Sequence, residues 1–447
     1  MIRAVSRRRF LKELTGATAL SISSTTVGFA GQADKPAQSG KLKIAAVYTT
    51  FTHRSHANVI LENFLEPYYF NGERIDPRAK FEIVSMWGDQ NLPGDFAGEV
   101  VRQYGVSRHE TIADALCLGG ATLAVDGVLS IGEGGRYYTN KLDQVMFPRK
   151  RFFDEIIEVM RKSKRVVPLF TDKHLAYRWD WAKAMYDTAA RMKIPLMAGS
   201  SIPLTEHRRP LQLPVQARIE EALSVHGGHL ETYDFHALEL LQSIVEARRG
   251  GETGVSQVQF LQGAALWEAA QQGRWSPALA DAAMEAELGA EAKSWRTMQP
   301  EPHAILIEYK DGFRASTLRI GDDSIRWNFA CRLQGETKPR ATRCYVGPWR
   351  NRYCFKAFCH AIQHHLMRRA APWPVERTLL TTGILDAAMQ SRYEGSKSLK
   401  TPQLEFSYRP VDFSAFRELG ATWSVIDESV PEPIGTIAKA TLRPDVR

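Results

Sequence analysis

Short buried apolar runs alternate with amphipathic helical stretches in the first half of this chain, and this alternation limits its fold most strongly. The strand-like runs occupy residues 43–47, 81–87, 125–131, 166–170 and 195–198. The helical stretches occupy residues 57–65, 96–104, 151–162 and 179–192. Buried strands separated by amphipathic helices favour a parallel sheet. Residues 42–202 are therefore predicted to form a Rossmann-like, doubly wound parallel α/β domain, with ligands at the carboxyl ends of its strands.

The second half of the chain has a different pattern. A helix is predicted over residues 236–248, and alternating strands follow at residues 257–261, 303–309, 313–320 and 324–333. Two further helices are predicted over residues 355–369 and 375–391. Residues 203–447 are therefore predicted to form a C-terminal α+β domain on an open, mostly antiparallel sheet. A linker rich in Gly, Pro, Ser and Lys, at residues 34–41, precedes both domains.

The first 33 residues carry the features of an export signal. In Ser6-Arg7-Arg8-Arg9-Phe10-Leu11-Lys12, paired arginines precede a weakly apolar run at residues 14–30 and then small residues. This arrangement is typical of a twin-arginine signal peptide, and the run is too short and too polar for a transmembrane span. The sequence predicts that residues 1–33 are removed, that the Tat translocase is a partner during export, and that the mature protein is periplasmic.

Charge and cysteine content narrow the function classes. Of the formal net charge of +8, half comes from residues 1–33, which hold five basic side chains and one acidic side chain. The rest shows no stripe of lysine and arginine and no aromatic platform, so we predict no nucleic-acid partner. The five cysteines form no even framework, although an oxidising periplasm permits a bridge such as Cys344 to Cys354.

Five segments occur in an order that points to one family. Val125-Asp126-Gly127-Val128-Leu129 is similar to a V-D-x-V strand, and Asp172-Lys173-His174 occupies the place of an E-K-P loop. Residues 182–199 look like the helix and strand that follow. Asp234-Phe235-His236-Ala237-Leu238-Glu239 is similar to a G-x-H-x-x-D stretch, and residues 375–391 look like a closing helix with a terminal serine. Together they resemble the Gfo/Idh/MocA family, the relatives of glucose-fructose oxidoreductase and inositol dehydrogenase, over nearly all of the mature chain.

This resemblance implies an oxidoreductase that acts on a sugar or polyol with NAD or NADP. In such dehydrogenases a lysine near the nicotinamide polarises the substrate hydroxyl, and a histidine takes or returns its proton while hydride moves. Lys173 and His236 stand at the matching positions and are the candidate catalytic residues. The resemblance also implies a C-terminal sheet that supports assembly into a homo-oligomer.

The segment after the first strand departs from the phosphate-binding loop of this family. The frame G-x-G-x-x-G-x-x-H reads Tyr48-Thr49-Thr50-Phe51-Thr52-His53-Arg54-Ser55-His56, so every glycine is replaced. Those glycines allow a tight turn, close approach of the pyrophosphate and packing of the helix on the strand. The residues that the resemblance places against the cofactor are Tyr48, Thr50, His53, Asp89 and Asp172.

An extended insert between Ile131 and Arg151 follows the third strand and is expected to overhang the site. Its glycines allow backbone flexibility, whereas Arg136 and Tyr137 can stack on and bond a sugar. The candidate substrate-binding residues are Glu133, Arg136, Tyr137 and Asp234.

Replacement of the loop glycines leaves a second function open. In this alternative the chain keeps the scaffold without the dinucleotide and is a carbohydrate-binding protein or a non-redox carbohydrate enzyme. One form of it places a metal ion among Glu133, Asp172, His174 and His236, although their spacing matches no compact metal motif.

A second histidine group lies on the helix predicted over residues 355–369. His360 and His364 are four residues apart and therefore share a face with each other, and His365 follows. Without a third ligand or a general-base motif, this group is interpreted as an exposed helical face.

Overall fold

The computed structural model of the chain describes residues 40–434 and residue 437. The predicted signal at residues 1–33 and most of the linker at residues 34–41 lie outside the described residues. The division into domains at residues 202 and 203 stays a prediction.

The strands fall into two sheets and one small hairpin. In chain order they are β1 (Leu42–Tyr48), β2 (Tyr68–Phe70), β3 (Glu73–Ile75), β4 (Phe81–Gly88), β5 (Ser107–Arg108), β6 (Gly127–Ile131), β7 (Leu169–Asp172), β8 (Leu196–Gly199), β9 (Glu206–Arg208), β10 (Ile219–His226), β11 (Val255–Gln262), β12 (His303–Tyr309), β13 (Arg314–Arg319), β14 (Trp327–Leu333), β15 (Arg340–Tyr345) and β16 (Leu399–Lys400).

The α-helices pack on the faces of both sheets. In chain order they are α1 (His56–Leu65), α2 (Ala97–Tyr104), α3 (Ile112–Cys117), α4 (Arg149–Lys162), α5 (Trp179–Met192), α6 (Thr232–Val245), α7 (Ala264–Gln271), α8 (Pro277–Leu288), α9 (Phe355–Arg368) and α10 (Val375–Tyr393). Within residues 40–434, no helix has both the length and the apolar character needed to cross a membrane.

The first sheet is parallel throughout, with its strands in the order β5-β4-β1-β6-β7-β8. Because successive side chains of a strand point to opposite faces, β1 serves two cores. Ile44 and Ala46 pack with residues of α1 and α9, whereas Ala45 and Val47 pack with residues of α3, α4 and α5. The predicted doubly wound, Rossmann-like sheet is therefore confirmed.

α9 packs on this first sheet although it comes from the second half of the chain. A Cβ atom at Gly127 in β6 would lie 2.7 Å from Leu366 Cδ2 of α9 and 3.1 Å from Ile44 Cδ1. Any larger residue here would displace the ends of these two side chains. Just beyond α9, the guanidinium of Arg369 donates to the carbonyl of Val166 at 3.1 Å.

The second sheet has its strands in the order β16-β11-β12-β13-β10-β14-β15-β9. β10 and β13 are parallel, and the other pairings are antiparallel, so the predicted mostly antiparallel sheet is confirmed. One face packs against α6 and α10. The opposite face is covered by α7, α8 and the turns that follow them, whose Trp275, Met284 and Trp295 pack on Leu223 and Val225 of β10.

Several elements carry no prediction from the sequence. The central strand β10 was missed because Glu220 and Glu221 interrupt its apolar pattern, and these two carboxylates pair with Arg332 on β14. α7 and α8 were missed although their alanine-rich sequence is a helical signal. The helix predicted over residues 236–248 begins earlier, at Thr232, where the Asp234 carboxylate accepts from the N–H of Glu231, the residue that precedes the helix.

All five cysteines lie in the described part of the chain, and each is buried and free. The bridge between Cys344 and Cys354 that an oxidising periplasm would permit is not formed in this structure.

A buried ion pair joins Glu246, the residue that follows α6, to Arg377 of α10 and generates a stability prediction. Arg377 Nε donates to Glu246 Oε2 at 2.9 Å, and both side chains are almost completely buried. We expect Arg377→Met to lower the free energy of unfolding by about 3–5 kcal/mol, because the Glu246 charge is left buried without its partner. Urea unfolding monitored by circular dichroism measures this loss.

Two further variants serve as controls. Lys183→Met breaks a half-exposed pair with Asp187 within one helix and should cost less than about 0.5 kcal/mol. Arg377→Met combined with Glu246→Gln should recover most of the loss, because no buried charge then remains unpaired. Equal losses for Arg377→Met and Lys183→Met would contradict the assignment.

Candidate functional site

The candidate site lies where β6, β7 and β8 of the first sheet end and α6 begins. Glu133 follows β6, Lys173 and His174 follow β7, and Ser200 follows β8. His236 lies in the first turns of α6. The carboxyl ends of parallel strands meet at one edge of a sheet, and ligands of such folds bind there.

Lys173 is held by a buried carboxylate. Its Nζ atom lies 2.9 Å from Glu133 Oε1, and Arg149, from the first turn of α4, binds the other oxygen of Glu133. Burial opposes ionisation of Glu133, but the charges of Lys173 and Arg149 outweigh it and lower its pKa to about 2. Glu133 is therefore ionised at neutral pH and ties together the segments after β6 and β7 and the start of α4.

His174, which stands where the family has a proline, is completely buried beside this cluster. Arg149 Nη1 lies 3.1 Å from His174 Nε2, and His174 Nδ1 has no hydrogen-bond partner among the described residues. Burial, together with the charges of Arg149 and Lys173, holds the pKa of His174 well below its usual value. Because a guanidinium can only donate, Nε2 accepts and the imidazole carries its proton on Nδ1.

His236 is buried and neutral near Lys173. Its Nδ1 atom lies 2.6 Å from the hydroxyl of Ser200, which also accepts from Ile202 N–H at 3.0 Å. Burial first, and then the charge of Lys173, holds the pKa of His236 well below its usual value. The Ser200 hydroxyl can donate to Nδ1, which places the imidazole proton on Nε2. The centroid of the Tyr233 ring lies 6.0 Å from Lys173 Nζ and 6.1 Å from the centroid of the His236 ring.

Backbone strain is concentrated at two residues of this site. Lys173 has φ of 61°, and Glu231, which precedes α6, has φ of 67°. Residues other than glycine rarely adopt a positive φ. The resulting backbone strain persists only where the surrounding structure imposes it. Glu231 Oε1 lies 3.5 Å from His174 Nε2, and burial raises the pKa of Glu231 to about 8.

Asp172 and His56 form a close pair that the sequence did not predict. His56 Nδ1 lies 2.6 Å from Asp172 Oδ2, and the aspartate is buried while the histidine is partly exposed at the start of α1. Asp172 was expected to contact the cofactor, and here its carboxylate orients an imidazole. The signal that could have identified His56 is the frame G-x-G-x-x-G-x-x-H, because its final histidine aligns with His56.

Asp234, a predicted substrate-binding residue, is engaged within the protein. Its Oδ1 atom lies 3.0 Å from His226 Nε2 and 2.8 Å from His303 Nε2, and its Oδ2 atom accepts from Glu231 N–H at 2.8 Å. Burial opposes ionisation, but the two imidazoles outweigh it and hold the pKa of Asp234 far below its usual value.

Among residues 40–434, one group has side-chain atoms spaced closely enough to hold a metal ion, and it consists of His226, Asp234 and His303. Gly228 N–H donates to His226 Nδ1 at 3.3 Å, so the imidazole proton is on Nε2 and is directed at Asp234. A metal ligand needs a lone pair there, and we therefore assign the group to hydrogen bonding. The metal set considered from the sequence differs from this group, and its Glu133, Asp172 and His174 are paired with Lys173, His56 and Arg149.

Large side chains fill the loop after β1. Tyr48 and Phe51 are buried, and their rings pack edge-to-face, as do those of Phe51 and Phe96. Thr50 is also buried. Phe51 N–H donates to Asp95 Oδ2 at 3.0 Å, so a carboxylate already accepts from a backbone amide of this loop. Its negative charge would also repel a pyrophosphate.

The insert after β6 covers the adjacent strand ends. Tyr137 donates its hydroxyl to Asp89 Oδ2 at 2.6 Å, and Gln90 pairs with the backbone of Arg136 at 2.9 and 3.0 Å. Asp89 is thereby occupied, although the resemblance assigned it to a ribose. A dinucleotide would lie across these strand ends. The residues present therefore do not form a dinucleotide cradle.

The remaining predicted residues have other surroundings. Arg136 is exposed, and His53 is partly exposed with Nε2 3.6 Å from Glu432 Oε1. The exposed face predicted for the histidines of α9 is wrong, because His360 stacks on Phe70 with ring centroids 4.5 Å apart and His365 is completely buried.

Sequence comparison leaves this chain without a match, since neither a family model nor a curated protein matches it. Solved structures do match. GenD2 from gentamicin A biosynthesis, in complex with NAD, aligns over 83% of this chain and 99% of its own length, with 12% identity and a TM-score of 0.50. Apo scyllo-inositol dehydrogenase from Lactobacillus casei aligns over 80% of this chain and 98% of its own length, with 10% identity and a TM-score of 0.50.

The chain has the Gfo/Idh/MocA fold. The family resemblance placed Lys173 after the fourth parallel strand and His236 on the first helix of the second predicted domain. Both residues lie at the site described above. Their catalytic roles stay predictions.

Glu231 generates a prediction about the pH dependence of stability. Its pKa in the folded protein, about 8, lies above the 4.5 of an unperturbed glutamate. Its contribution to stability is therefore fully present below pH 4.5 and is lost as pH rises toward 8, at up to about 1.4 kcal/mol per pH unit. We expect Glu231→Gln to become more stable relative to wild type as pH rises from 5.5 to 8, measured by urea unfolding.

The buried histidines are present in both the variant and wild type. Their effect on the pH dependence therefore cancels when the free energies of unfolding of the two proteins are compared. The exposed Glu268 on α7 provides the control, since Glu268→Gln should give a difference that does not change with pH. A flat difference for Glu231→Gln as well would contradict a protonated carboxyl at this position.

Proposed function

We propose that this protein binds a sugar or polyol at the carboxyl ends of β6, β7 and β8 and transfers protons on it without a dinucleotide. The observation that carries the proposal is the insert, whose Tyr137 and Arg136 are bonded to Asp89 and Gln90 across the strand ends where the cofactor would lie. The fold and the Gfo/Idh/MocA neighbours support the substrate class.

The chemistry follows from the charges of the site. Neutral His236 can donate a hydrogen bond from Nε2 to a substrate oxygen and so stabilise negative charge there, while the Ser200 hydroxyl holds the imidazole at Nδ1. Lys173, held by the Glu133 carboxylate, can stabilise negative charge that develops on a substrate oxygen. The His56 and Asp172 pair offers a base that is more exposed than His236, with Asp172 fixing the imidazole orientation.

A second candidate function is the nicotinamide-dependent oxidation of the same substrate class. The placement of Lys173 and His236 on one site favours it, because these are the two positions that the resemblance assigned to hydride-transfer chemistry. It requires the insert to leave the strand ends so that Asp89 becomes available.

One set of measurements separates the two candidates. The purified protein is incubated with a panel of sugars, polyols and keto sugars in D₂O without nucleotide, and NMR follows deuterium incorporation or loss of water from the substrate. We expect conversion without nucleotide, and we expect calorimetry to detect no binding of NAD⁺, NADH, NADP⁺ or NADPH. His236→Ala should lower the rate at least ~100-fold, the usual effect of removing one hydrogen-bond donor that stabilises developing negative charge.

Tyr393→Phe, an exposed change on α10, is the matched control and should keep the wild-type rate. Conversion that begins only after a nucleotide is added would overturn the proposal in favour of the second candidate. Sugar binding without any conversion would reduce it to a carbohydrate-binding function.

We also propose export of the folded protein by the twin-arginine pathway to the periplasm. Ser6-Arg7-Arg8-Arg9-Phe10-Leu11-Lys12 supports this proposal, and the five buried free cysteines agree with a chain that folds before it meets an oxidising compartment.

Export is tested by cell fractionation. The double variant Arg7→Lys with Arg8→Lys should stay in the cytoplasm with its signal uncleaved, whereas Arg3→Lys, outside the paired arginines, should be exported like wild type. Periplasmic accumulation of the double variant would contradict a twin-arginine route.

A further inference from the structure

The last described segment of the chain returns to the start of α1. Val430 packs with Trp349 and Tyr353, and its carbonyl accepts from Trp349 Nε1 at 2.7 Å. These contacts place Glu432, two residues later, beside the loop that follows β1. We call residues 426–433 the C-terminal strap.

The Glu432 carboxylate lies in a pocket of cationic groups. Arg54 Nε donates to Glu432 Oε1 at 2.8 Å, and Arg54 Nη2 binds Oε2. Arg352 Nη1 donates to Glu432 Oε1 at 3.1 Å, and His53 Nε2 lies 3.6 Å from the same oxygen. Two guanidinium groups and an imidazole therefore converge on one carboxylate.

Behind this pocket, buried cations are paired with a second carboxylate, that of the buried Glu62. Arg352 is completely buried and also binds Glu62, and Lys356 Nζ lies 2.8 Å from Glu62 Oε1. Glu62 thus serves the buried cations, whereas Arg54 is partly exposed and has Glu432 as its carboxylate partner among the described residues. Removal of Glu432 would take one negative charge from a pocket that Arg54 and Arg352 line.

We propose that Arg54, Arg352 and His53 form an anion-binding site that Glu432 fills in this structure, and that it accepts a phosphate or sulfate group in exchange. Guanidinium groups bind such tetrahedral anions with paired hydrogen bonds, and a phosphate dianion carries more charge than the carboxylate it replaces.

The position of the site indicates what brings the anion. Arg54 is two residues before His56, whose imidazole is bonded to Asp172 at the candidate site. If the anion is a group of the substrate, the substrate is a sugar or polyol that carries a phosphate or sulfate ester. This assignment of the anion to the substrate is the part of the inference that rests on the proposed function. Binding of the free anion does not depend on the proposed function.

Calorimetry with inorganic phosphate and inorganic sulfate tests the site directly. Glu432→Gln keeps a hydrogen-bond acceptor on the strap but removes the competing charge, so we expect it to bind these anions at least ~10-fold more tightly than wild type. Adding Arg54→Ala to Glu432→Gln should abolish the gain. Glu428→Gln removes an exposed carboxylate of the same strap, one that contacts Tyr345 instead, and should behave as wild type.

A second measurement uses the unaltered protein and does not depend on a variant that folds. Phosphate should increase amide hydrogen exchange in residues 426–433, because displacement of Glu432 loosens the strap, whereas potassium chloride at equal ionic strength should not. Equal anion affinity in Glu432→Gln and wild type, or an unchanged gain after Arg54→Ala, would overturn the site.

Sugar phosphates and sugar sulfates form the last arm. Tighter binding of an ester than of the matching free anion and free sugar would identify the substrate as the source of the anion. Binding of the free anions alone would keep the site and overturn its assignment to the substrate. Failure of the catalytic test in D₂O would leave both anion measurements unaffected.

Discussion

The Glu133 carboxylate, held between Lys173 and Arg149, is the interaction on which the site depends. Two cations meet a single buried carboxylate, and the three residues come from the segment after β6, the segment after β7 and the first turn of α4. An unpaired charge at this depth would be costly, so these segments hold their positions together. Glu133 also begins the insert, and Thr49 donates its hydroxyl to the Glu133 carbonyl at 2.7 Å. The same residue therefore fixes both the lysine and the path of the chain that covers β1 and β4.

This coupling explains how a chain can keep the Gfo/Idh/MocA fold while its cofactor loop changes. The six parallel strands need only apolar faces and short connections, and these are retained. The loop after β1 is under a separate constraint, since one of its usual glycines serves the approach of a pyrophosphate to the backbone and is not needed where none binds. In this chain Phe51 contributes to the core and Asp95 satisfies its amide, so the segment is stabilised by the protein itself.

The parts of the structure that could be predicted from the sequence are those encoded locally. Buried strands, amphipathic helices and the places of Lys173 and His236 can be identified from patterns a few residues long. The partners of these residues could not, because His56 and Asp172 are 116 residues apart and Arg54 and Glu432 are 378 apart, and no local pattern records such a contact. β10 was missed for a related reason, since its two glutamates interrupt the apolar pattern and their partner, Arg332, lies on the neighbouring strand more than 100 residues away.

The covering of the second sheet by α7 and α8 has a consequence for assembly. Trp275 and Trp295 are buried against β10 and its neighbours, and so this face of the sheet is already an interior surface. Two copies of the chain cannot pack together through this face of the sheet while α8 covers it. The apolar surface that would form such an interface is already buried within each copy. Any symmetric pair must therefore be built from a different surface, with its own complementary patch.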